Sequence, residues 1–152
     1  MSLCTYHTSS GLALTSKLYS SDSLPSLHRT AVRLATQASR LSNGMYCVGA
    51  CLITRRPTTF CTGFCTDRTH PLQKKFIGDN PKKLSLHAEI DALSKLKNFS
   101  GDLECMVVVR TLKVRQTLAT SRPCDICMGG MMSFNVRSIL YYEHECWHLV
   151  EL

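Results

Sequence analysis

Two short stretches decide how this chain folds and what it can hold: HAE at residues 87–89 and PCDIC at residues 123–127. One imidazole and two thiolates, from His87, Cys124 and Cys127, are typical ligands of zinc. A catalytic zinc usually keeps three protein ligands and leaves a fourth position open to water. Glu89 is two residues from the first ligand, where its carboxylate could move protons to and from that water. The pattern therefore predicts one zinc ion per chain, with Glu89 as the catalytic acid and base.

Both stretches have the features of a helix start. Cys124 and Cys127 are spaced i, i+3 and so share one face, and Pro123 suits the first helical turn, where no backbone donor is lost. His87 begins a segment of helical periodicity that runs from about residue 86 to residue 96. Two thiolates and a neutral imidazole cancel the charge of zinc and weaken it as a Lewis acid. The positive ends of two helices would stabilise the thiolates and partly restore that acidity.

The rest of the chain alternates helical and strand-like patterns. The last two strand-like runs are joined too closely for a parallel crossover, so we expect them to be antiparallel. The order of elements predicts an α/β fold: a three-layer α/β/α sandwich around a mixed five-stranded sheet with a C-terminal antiparallel hairpin. The predicted elements are a helix at 26–41 capped by residues 42–44, strands at 45–53 and 58–65, a lid at 66–83, a helix at 86–96, a strand at 103–111, a helix at 124–134, and strands at 136–143 and 146–152.

Length and composition indicate one soluble domain. Of the 152 residues, we expect 1–24 to form a loosely structured N-terminal extension with a short strand near residues 12–14, and 25–152 to form the zinc-containing domain. No apolar run reaches membrane-spanning length, and no secretory signal is visible. Nine cysteines without an export signal favour a reducing compartment, so we expect a cytoplasmic protein with no membrane partner. The net charge of +7 favours an anionic partner.

Four further cysteines lie in the first predicted hairpin. If the hairpin turns at Arg56, Cys47 faces Cys65 and Cys51 faces Cys61, and all four side chains lie on one side of the sheet. Small buried residues beneath the helices are the simplest interpretation of this group. A second metal site or a disulfide remains an alternative.

The two motifs resemble those of the cytidine/deoxycytidylate deaminase superfamily of zinc-dependent nucleobase deaminases, and the resemblance covers roughly residues 26–152. It implies that residues 25–152 form a zinc-dependent deaminase domain with the fold of cytidine deaminases. It also implies that His87, Cys124 and Cys127 bind zinc and that Glu89 moves protons. The backbone N–H of Ala88 and the carbonyl of Arg122 would hold the base.

The resemblance says less about the rest of the substrate. A histidine as first ligand resembles the deoxycytidylate, nucleic-acid-editing and purine deaminases, whereas an antiparallel closing hairpin resembles the enzymes of free cytidine. Relatives often contact the sugar with an Asn near the end of the second strand; here Phe64 and Cys65 stand at that point. His70, in the predicted lid, is a further candidate substrate contact.

The sequence therefore favours a zinc-dependent hydrolase that deaminates cytosine to uracil in a small nucleoside or nucleotide and releases ammonia. A cytosine or adenine deaminase of single-stranded DNA or RNA, for which nucleic acid would be the partner, is the first alternative. A purine base or nucleoside deaminase is the second, and a non-catalytic zinc-containing binding module is the third. Because relatives are often oligomers, the resemblance also implies a homo-oligomer.

Overall fold

A computed structural model of the chain describes residues 2–7, 11, 13–43, 47–68, 70–77 and 85–152. Parts of the predicted helix cap (residue 44), of the first hairpin (residues 45 and 46) and of the lid (residues 69 and 78–83) lie outside these ranges, as does Leu12. The helices are α1 (Ser26–Ser39), α2 (Pro71–Ile77), α3 (Ala88–Ser94) and α4 (Asp125–Ser133). The strands are β1 (Ser2–His7), β2 (Ala13–Tyr19), β3 (Cys47–Arg55), β4 (Thr59–Phe64), β5 (Asp102–Thr111), β6 (Leu118–Ala119), β7 (Ser138–Glu143) and β8 (Cys146–Glu151).

The strands form one mixed sheet in the order β1-β2-β8-β7-β5-β3-β4, with the short β6 paired to β5. Only β5 and β7 pair in parallel among the described strands, and the other pairs are antiparallel. The predicted C-terminal hairpin is confirmed, since β7 and β8 pair antiparallel across a turn at His144 and Glu145. The predicted number of five strands is wrong: in the described part of the chain the sheet has eight strands, and β1, β2 and β6 are the additional ones.

The first 24 residues contribute two of these additional strands instead of a loose extension. β2 pairs with β8 through Ser16–Tyr19, and β1 pairs with β2 along its length. Alternate side chains of β2, at Ala13, Thr15 and Lys17, are exposed, so this stretch has no long apolar run to reveal it. It lies between β1 and β8 and joins them through backbone hydrogen bonds, which leave little trace in composition. The division of the chain at residue 24 stays a prediction.

Helices cover both faces of the sheet, as predicted for a three-layer α/β/α sandwich. On one face, α1 packs through Ala31 and Ala35 against side chains such as Cys51 and Ile53 of β3. On the other face, α3 and α4 pack against the alternate side chains of the same strands, and α2 adds partly buried apolar residues. Because β3 and β5 are covered on both sides, their sequences are nearly continuous apolar runs.

Two glycines let the helices lie directly on neighbouring strands. A Cβ added at Gly49 of β3 would clash with the backbone carbonyl oxygen of Ala35 in α1. A Cβ added at Gly63 of β4 would clash with the carbonyl oxygen of Ala88 in α3, on the opposite face. The backbone of α3 therefore lies against β4 with no side chain between them at this point.

The hairpin of β3 and β4 has a different register from the predicted one. Cys51 lies opposite Thr62 and Cys61 lies opposite Leu52, so the turn is centred between Arg56 and Pro57 instead of on Arg56. When the pairing register changes by one residue, each side chain of one strand lies on the face of the sheet opposite to the expected one. Cys51 accordingly packs on the α1 side, while the Cys61 thiol donates to the Ala92 carbonyl of α3 at 3.4 Å.

The predicted grouping of four cysteines on one side is therefore wrong. Within the described ranges, the group of potential metal ligands that the chain brings together consists of His87, Cys124 and Cys127, and it includes none of these four cysteines. Their burial agrees with the interpretation as small core residues: Cys47, Cys51 and Cys65 are buried and Cys61 is half-buried. Among the described helices, none is both long and apolar enough to cross a membrane.

Substituting Gly63 with alanine should lower the free energy of unfolding by about 1–3 kcal/mol, since overpacking against a backbone forces α3 away from the sheet. Gly129 is the matched control, because a Cβ there would meet nothing within 4 Å. Gly129→Ala should raise the free energy of unfolding by about 0.5–1 kcal/mol through helix propensity. Urea denaturation measures both; wild-type stability in Gly63→Ala would contradict the close contact of α3 with β4.

Candidate active site

Two helix starts carry the potential metal ligands. His87 is the N-cap residue of α3, and Cys124 is the N-cap residue of α4, both with extended backbone angles. Cys127 follows in the first turn of α4 and is fully buried. At neither N-cap does the side chain form a capping hydrogen bond, and both side chains contribute to the ligand cluster instead. The N-terminal halves of two helix dipoles thus meet at one place, as the sequence predicted.

The three ligand atoms have the spacing that a zinc ion needs. Nδ1 of His87 lies 3.2 Å from Sγ of Cys127 and 3.4 Å from Sγ of Cys124, and all three atoms lie within 4.8 Å of one another. Tetrahedral bonds of about 2.3 Å to sulfur and about 2.0 Å to nitrogen place such atoms about 3.6–3.8 Å apart. Both the donor types and their separation therefore fit one zinc ion.

The pKa values of the two cysteine ligands, Cys124 and Cys127, are shifted in opposite directions. A hydrogen bond with Cys127 and the neighbouring His87 lower the pKa of the Cys124 thiol to about 4, which makes it a thiolate at neutral pH. Burial raises the pKa of the Cys127 thiol well above its usual range. Zinc binding must therefore displace a proton from Cys127, because the metal takes the thiolate form of its ligands.

A buried carboxyl group lies beside this cluster. Glu89, in the first turn of α3, exposes 4% of its surface, and its carboxylate accepts a hydrogen bond from the Cys127 thiol. Burial is the largest influence on this group and raises its pKa. A carboxyl group that holds its proton more tightly than usual is suited to exchange that proton near neutral pH.

The cluster opens into a cavity of about 420 Å³. Of the residues that the sequence singled out, the cavity is lined by His87, Ala88, Glu89, Arg122, Cys124 and Cys65. Phe64 and His70 are not among its lining residues. The Phe64 ring lies 5.4 Å from the Nζ of Lys95, and Nδ1 of His70 accepts a hydrogen bond from the Leu72 N–H at 3.1 Å.

Sequence reasoning missed the side of the cavity formed by β5 and the segment after β6. Arg110 ends the apolar run of β5 and lies opposite Ala119 of β6. Ser121 is buried; its hydroxyl donates to the Val108 carbonyl at 2.7 Å and accepts from the Tyr142 N–H at 2.8 Å. A charged residue at the end of a buried strand was the available signal for Arg110. The full set of residues missed is Val48, Ser85, Val108, Arg110, Thr120 and Ser121.

The start of α3 is tied to the end of β4. Asp91 of α3 accepts from the Phe64 N–H at 3.1 Å and from Nζ of Lys95 at 2.9 Å. Leu86, just before α3, exchanges two backbone hydrogen bonds with Thr66, each 3.0 Å long. These contacts place His87 at the mouth of the cavity and leave Glu89 inside the first turn.

The family model for the cytidine and deoxycytidylate deaminase zinc-binding region matches residues 22–143 of the chain. This protein belongs to that deaminase family. The match confirms the resemblance drawn from the two motifs and, with the cluster of His87, Cys124 and Cys127, a zinc-binding region of the deaminase type. No significant match to a curated protein is found.

Solved structures of cytidine deaminases share the fold of this deaminase family member. The enzyme from Burkholderia pseudomallei is 16% identical, with 80% of this chain and 90% of that chain covered and a TM-score of 0.54. The enzyme from Mycobacterium tuberculosis is 17% identical, with 77% and 85% covered and the same TM-score of 0.54. A mutant of the latter is 19% identical, with 74% and 80% covered and a TM-score of 0.53.

The purified protein should contain one zinc ion per chain, and Cys124→Ser should lose it, because an alcohol is a poor ligand for zinc. Cys146→Ser, which changes a half-buried cysteine of β8, is the control and should keep the metal. Zinc affinity should also fall as the pH falls, since protons compete for the thiolates. Elemental analysis and chelator competition measure these effects; full zinc content in Cys124→Ser would contradict the ligand assignment.

Proposed function

We propose that this protein is a hydrolytic deaminase that converts cytosine to uracil in a nucleoside or nucleotide and releases ammonia. The observation that carries the proposal is one cavity lined by two of the three potential zinc ligands, His87 and Cys124, and by the buried residue Glu89. The cavity volume of about 420 Å³ is in the range of pockets for small ligands. Family membership supplies the reaction type, since zinc nucleobase deaminases use a His/Cys/Cys site and a Glu that is not a ligand.

The backbone around the metal ligands has the groups needed to orient a pyrimidine. The N–H of Ala88 belongs to the first turn of α3, where backbone donors have no partner within the helix. It would donate to the ring carbonyl oxygen of the base. The carbonyl of Arg122, just before Pro123 and Cys124, would accept from the exocyclic amine. Together the two groups would hold the amine-bearing carbon over the metal site.

Glu89 is the proton carrier in this proposal. It would take a proton from the attacking water and deliver it to the ring nitrogen. It would then take the remaining proton of the added hydroxyl and deliver it to the amine, which leaves as ammonia while the C=O bond of uracil forms. A zinc ion bound by His87, Cys124 and Cys127 would lower the pKa of that water and so supply the nucleophile. Burial keeps the carboxyl group of Glu89 away from bulk solvent, and its raised pKa suits a group that must both accept and return a proton.

A small substrate is supported by the kind of proteins that share the fold. The solved structures with TM-scores of 0.53–0.54 are named cytidine deaminases, and their name refers to a free nucleoside. The antiparallel pair of β7 and β8 is also the arrangement that the sequence analysis associated with free cytidine. These observations favour a nucleoside or nucleotide over a nucleic-acid strand.

Two arginines favour a phosphate on that substrate. Arg110 and Arg122 both line the cavity, while Glu89 is the only carboxylate among the lining residues that belong to the described ranges. Arg122 is exposed and Arg110 is half-buried, whereas Glu89 is buried, so the positive charge lies nearer the rim than the reacting end. A base bound at the metal would direct its sugar and phosphate toward these guanidinium groups, which bind phosphate well.

Ammonia release across a panel of cytosine, cytidine, deoxycytidine and their 5′-monophosphates, with adenine and guanine derivatives and short single strands beside them, tests the proposal. We expect turnover of the cytosine nucleosides or nucleotides. Glu89→Gln should abolish that turnover and keep one zinc ion per chain, because it removes the proton carrier and no ligand. Turnover confined to purines or strands, or none at all, would overturn the proposal, as would an active Glu89→Gln variant.

Arg110→Gln should lower kcat/KM for a cytosine nucleotide about 10–100-fold and leave the matching nucleoside within about threefold, since a charge-assisted hydrogen bond contributes about 1.5–3 kcal/mol. Arg33→Gln removes the same charge from the exposed face of α1 and is the control. Steady-state assays with both substrates measure the difference. Equal losses for nucleoside and nucleotide would show that Arg110 does not meet a phosphate.

A further inference from the structure

One polar side chain of α2 has no exposed surface at all. Gln73 lies in the middle of this short helix, and its solvent exposure is 0%. Its neighbours Leu72 and Phe76 pack against the core that α3 and α4 share with the sheet. Glutamine is mostly an exposed residue, and an amide without a partner is costly to bury. The buried amide of Gln73 is therefore expected to form hydrogen bonds within the protein.

The side-chain amide oxygen (Oε1) of Gln73 accepts a hydrogen bond from the backbone N–H of His87 at 3.2 Å. The carbonyl of His87 in turn accepts from the Asp91 N–H at 2.9 Å inside α3. Both backbone polar groups of this metal-ligand residue are thus engaged. One belongs to its own helix, and the other is held by a side chain from α2.

A helix start normally obtains part of its support from the side chain of the N-cap residue. His87 occupies that position, but its imidazole makes no cap hydrogen bond, and its Nδ1 lies beside the two thiol sulfurs. The ring direction therefore depends on how firmly the backbone of His87 is held. Leu86 is already fixed to Thr66 on the β4 side, so Gln73 is the contact from the α2 side.

We propose that Gln73 is a positioning residue that fixes the backbone of His87 and so aims its imidazole at Cys124 and Cys127. The side-chain oxygen of Gln73 is the atom that holds the His87 backbone, because Nε2 of Gln73 is buried without a hydrogen-bond partner in the described part of the chain. A residue that keeps this oxygen should keep the function, and an apolar residue of the same length should lose it. The proposal concerns zinc binding and does not depend on the identity of the substrate.

Zinc affinity measured by chelator competition, well below the unfolding temperature, tests the proposal. Gln73→Met keeps the length and removes the acceptor, so zinc should bind about 10–100-fold more weakly, the range typical of groups that support metal ligands. Gln73→Glu keeps an acceptor oxygen on a side chain of the same length and should bind zinc within about threefold of wild type. The ratio kcat/KM should follow zinc occupancy in both variants.

Ser39→Ala is the matched control. Ser39 is fully buried on the opposite face of the sheet, where its hydroxyl bonds to the Thr36 carbonyl and lies 3.2 Å from that of Thr111. Its loss should lower the unfolding temperature and leave zinc affinity unchanged. A merely structural role of Gln73 would give the same outcome for Gln73→Met and would overturn the proposal.

A fourth variant covers the case in which Gln73→Met does not fold. Gln73→Asn keeps a neutral amide but withdraws the oxygen by one methylene, and it should also weaken zinc binding about tenfold or more. Wild-type zinc affinity in Gln73→Asn would overturn the proposal as well. Since the readout is metal binding, an inactive wild-type protein would count against the deaminase assignment and leave this test intact.

Discussion

The direct contact of α3 with β4 is the constraint on which the site depends. Gly63 leaves no side chain between the helix and the strand, and a Cβ at Gly130 of α4 would lie 2.7 Å from Cδ1 of Ile90 in α3. Gly63 thus lets the backbone of α3 lie on β4, and Gly130 lets the Ile90 side chain of α3 lie against the backbone of α4. The ends of α3 and α4 that approach each other are the N-terminal ones, which carry His87 and Cys127. Close packing here is therefore a condition for bringing the ligand atoms of two helices within bonding distance of one metal ion.

The zinc cluster and the layered fold could be predicted because their signals are local. Cys124 and Cys127 are one helical turn apart, Pro123 marks the helix start, and no long-range information is needed to place them on one face. The alternation of helical and strand patterns also predicted the layers, since each pattern has its own period. His87 is distant from the two cysteines in sequence, and it was joined to them by the ligand chemistry of zinc and by the resemblance.

Register and edges could not be predicted in the same way. The hairpin of β3 and β4 differs from the expectation by one residue, and no composition signal distinguishes a turn centred on Arg56 from one centred after it. β2 has a polar residue, Ser16, at its fully buried position, so the alternation of apolar and polar residues that reveals a half-buried strand is interrupted. Arg110 lines the cavity near the end of β5, where β6 pairs with it, and a two-residue strand leaves no recognisable pattern in the sequence.

The register of the β3–β4 hairpin also determines which of its cysteines could form a disulfide under oxidising conditions. Side chains on opposite faces of a sheet point apart and cannot form a disulfide without backbone movement, so Cys51 and Cys61 cannot crosslink. Burial raises the pKa of Cys51 and Cys105 to about 12 and that of Cys65 to about 11, which keeps these thiols protonated and slow to react. Cys124, with its pKa lowered to about 4, is the reactive exception. Of these four thiols, the one at the metal centre is therefore the most open to oxidation, and a bound zinc ion would protect the thiolate that it needs.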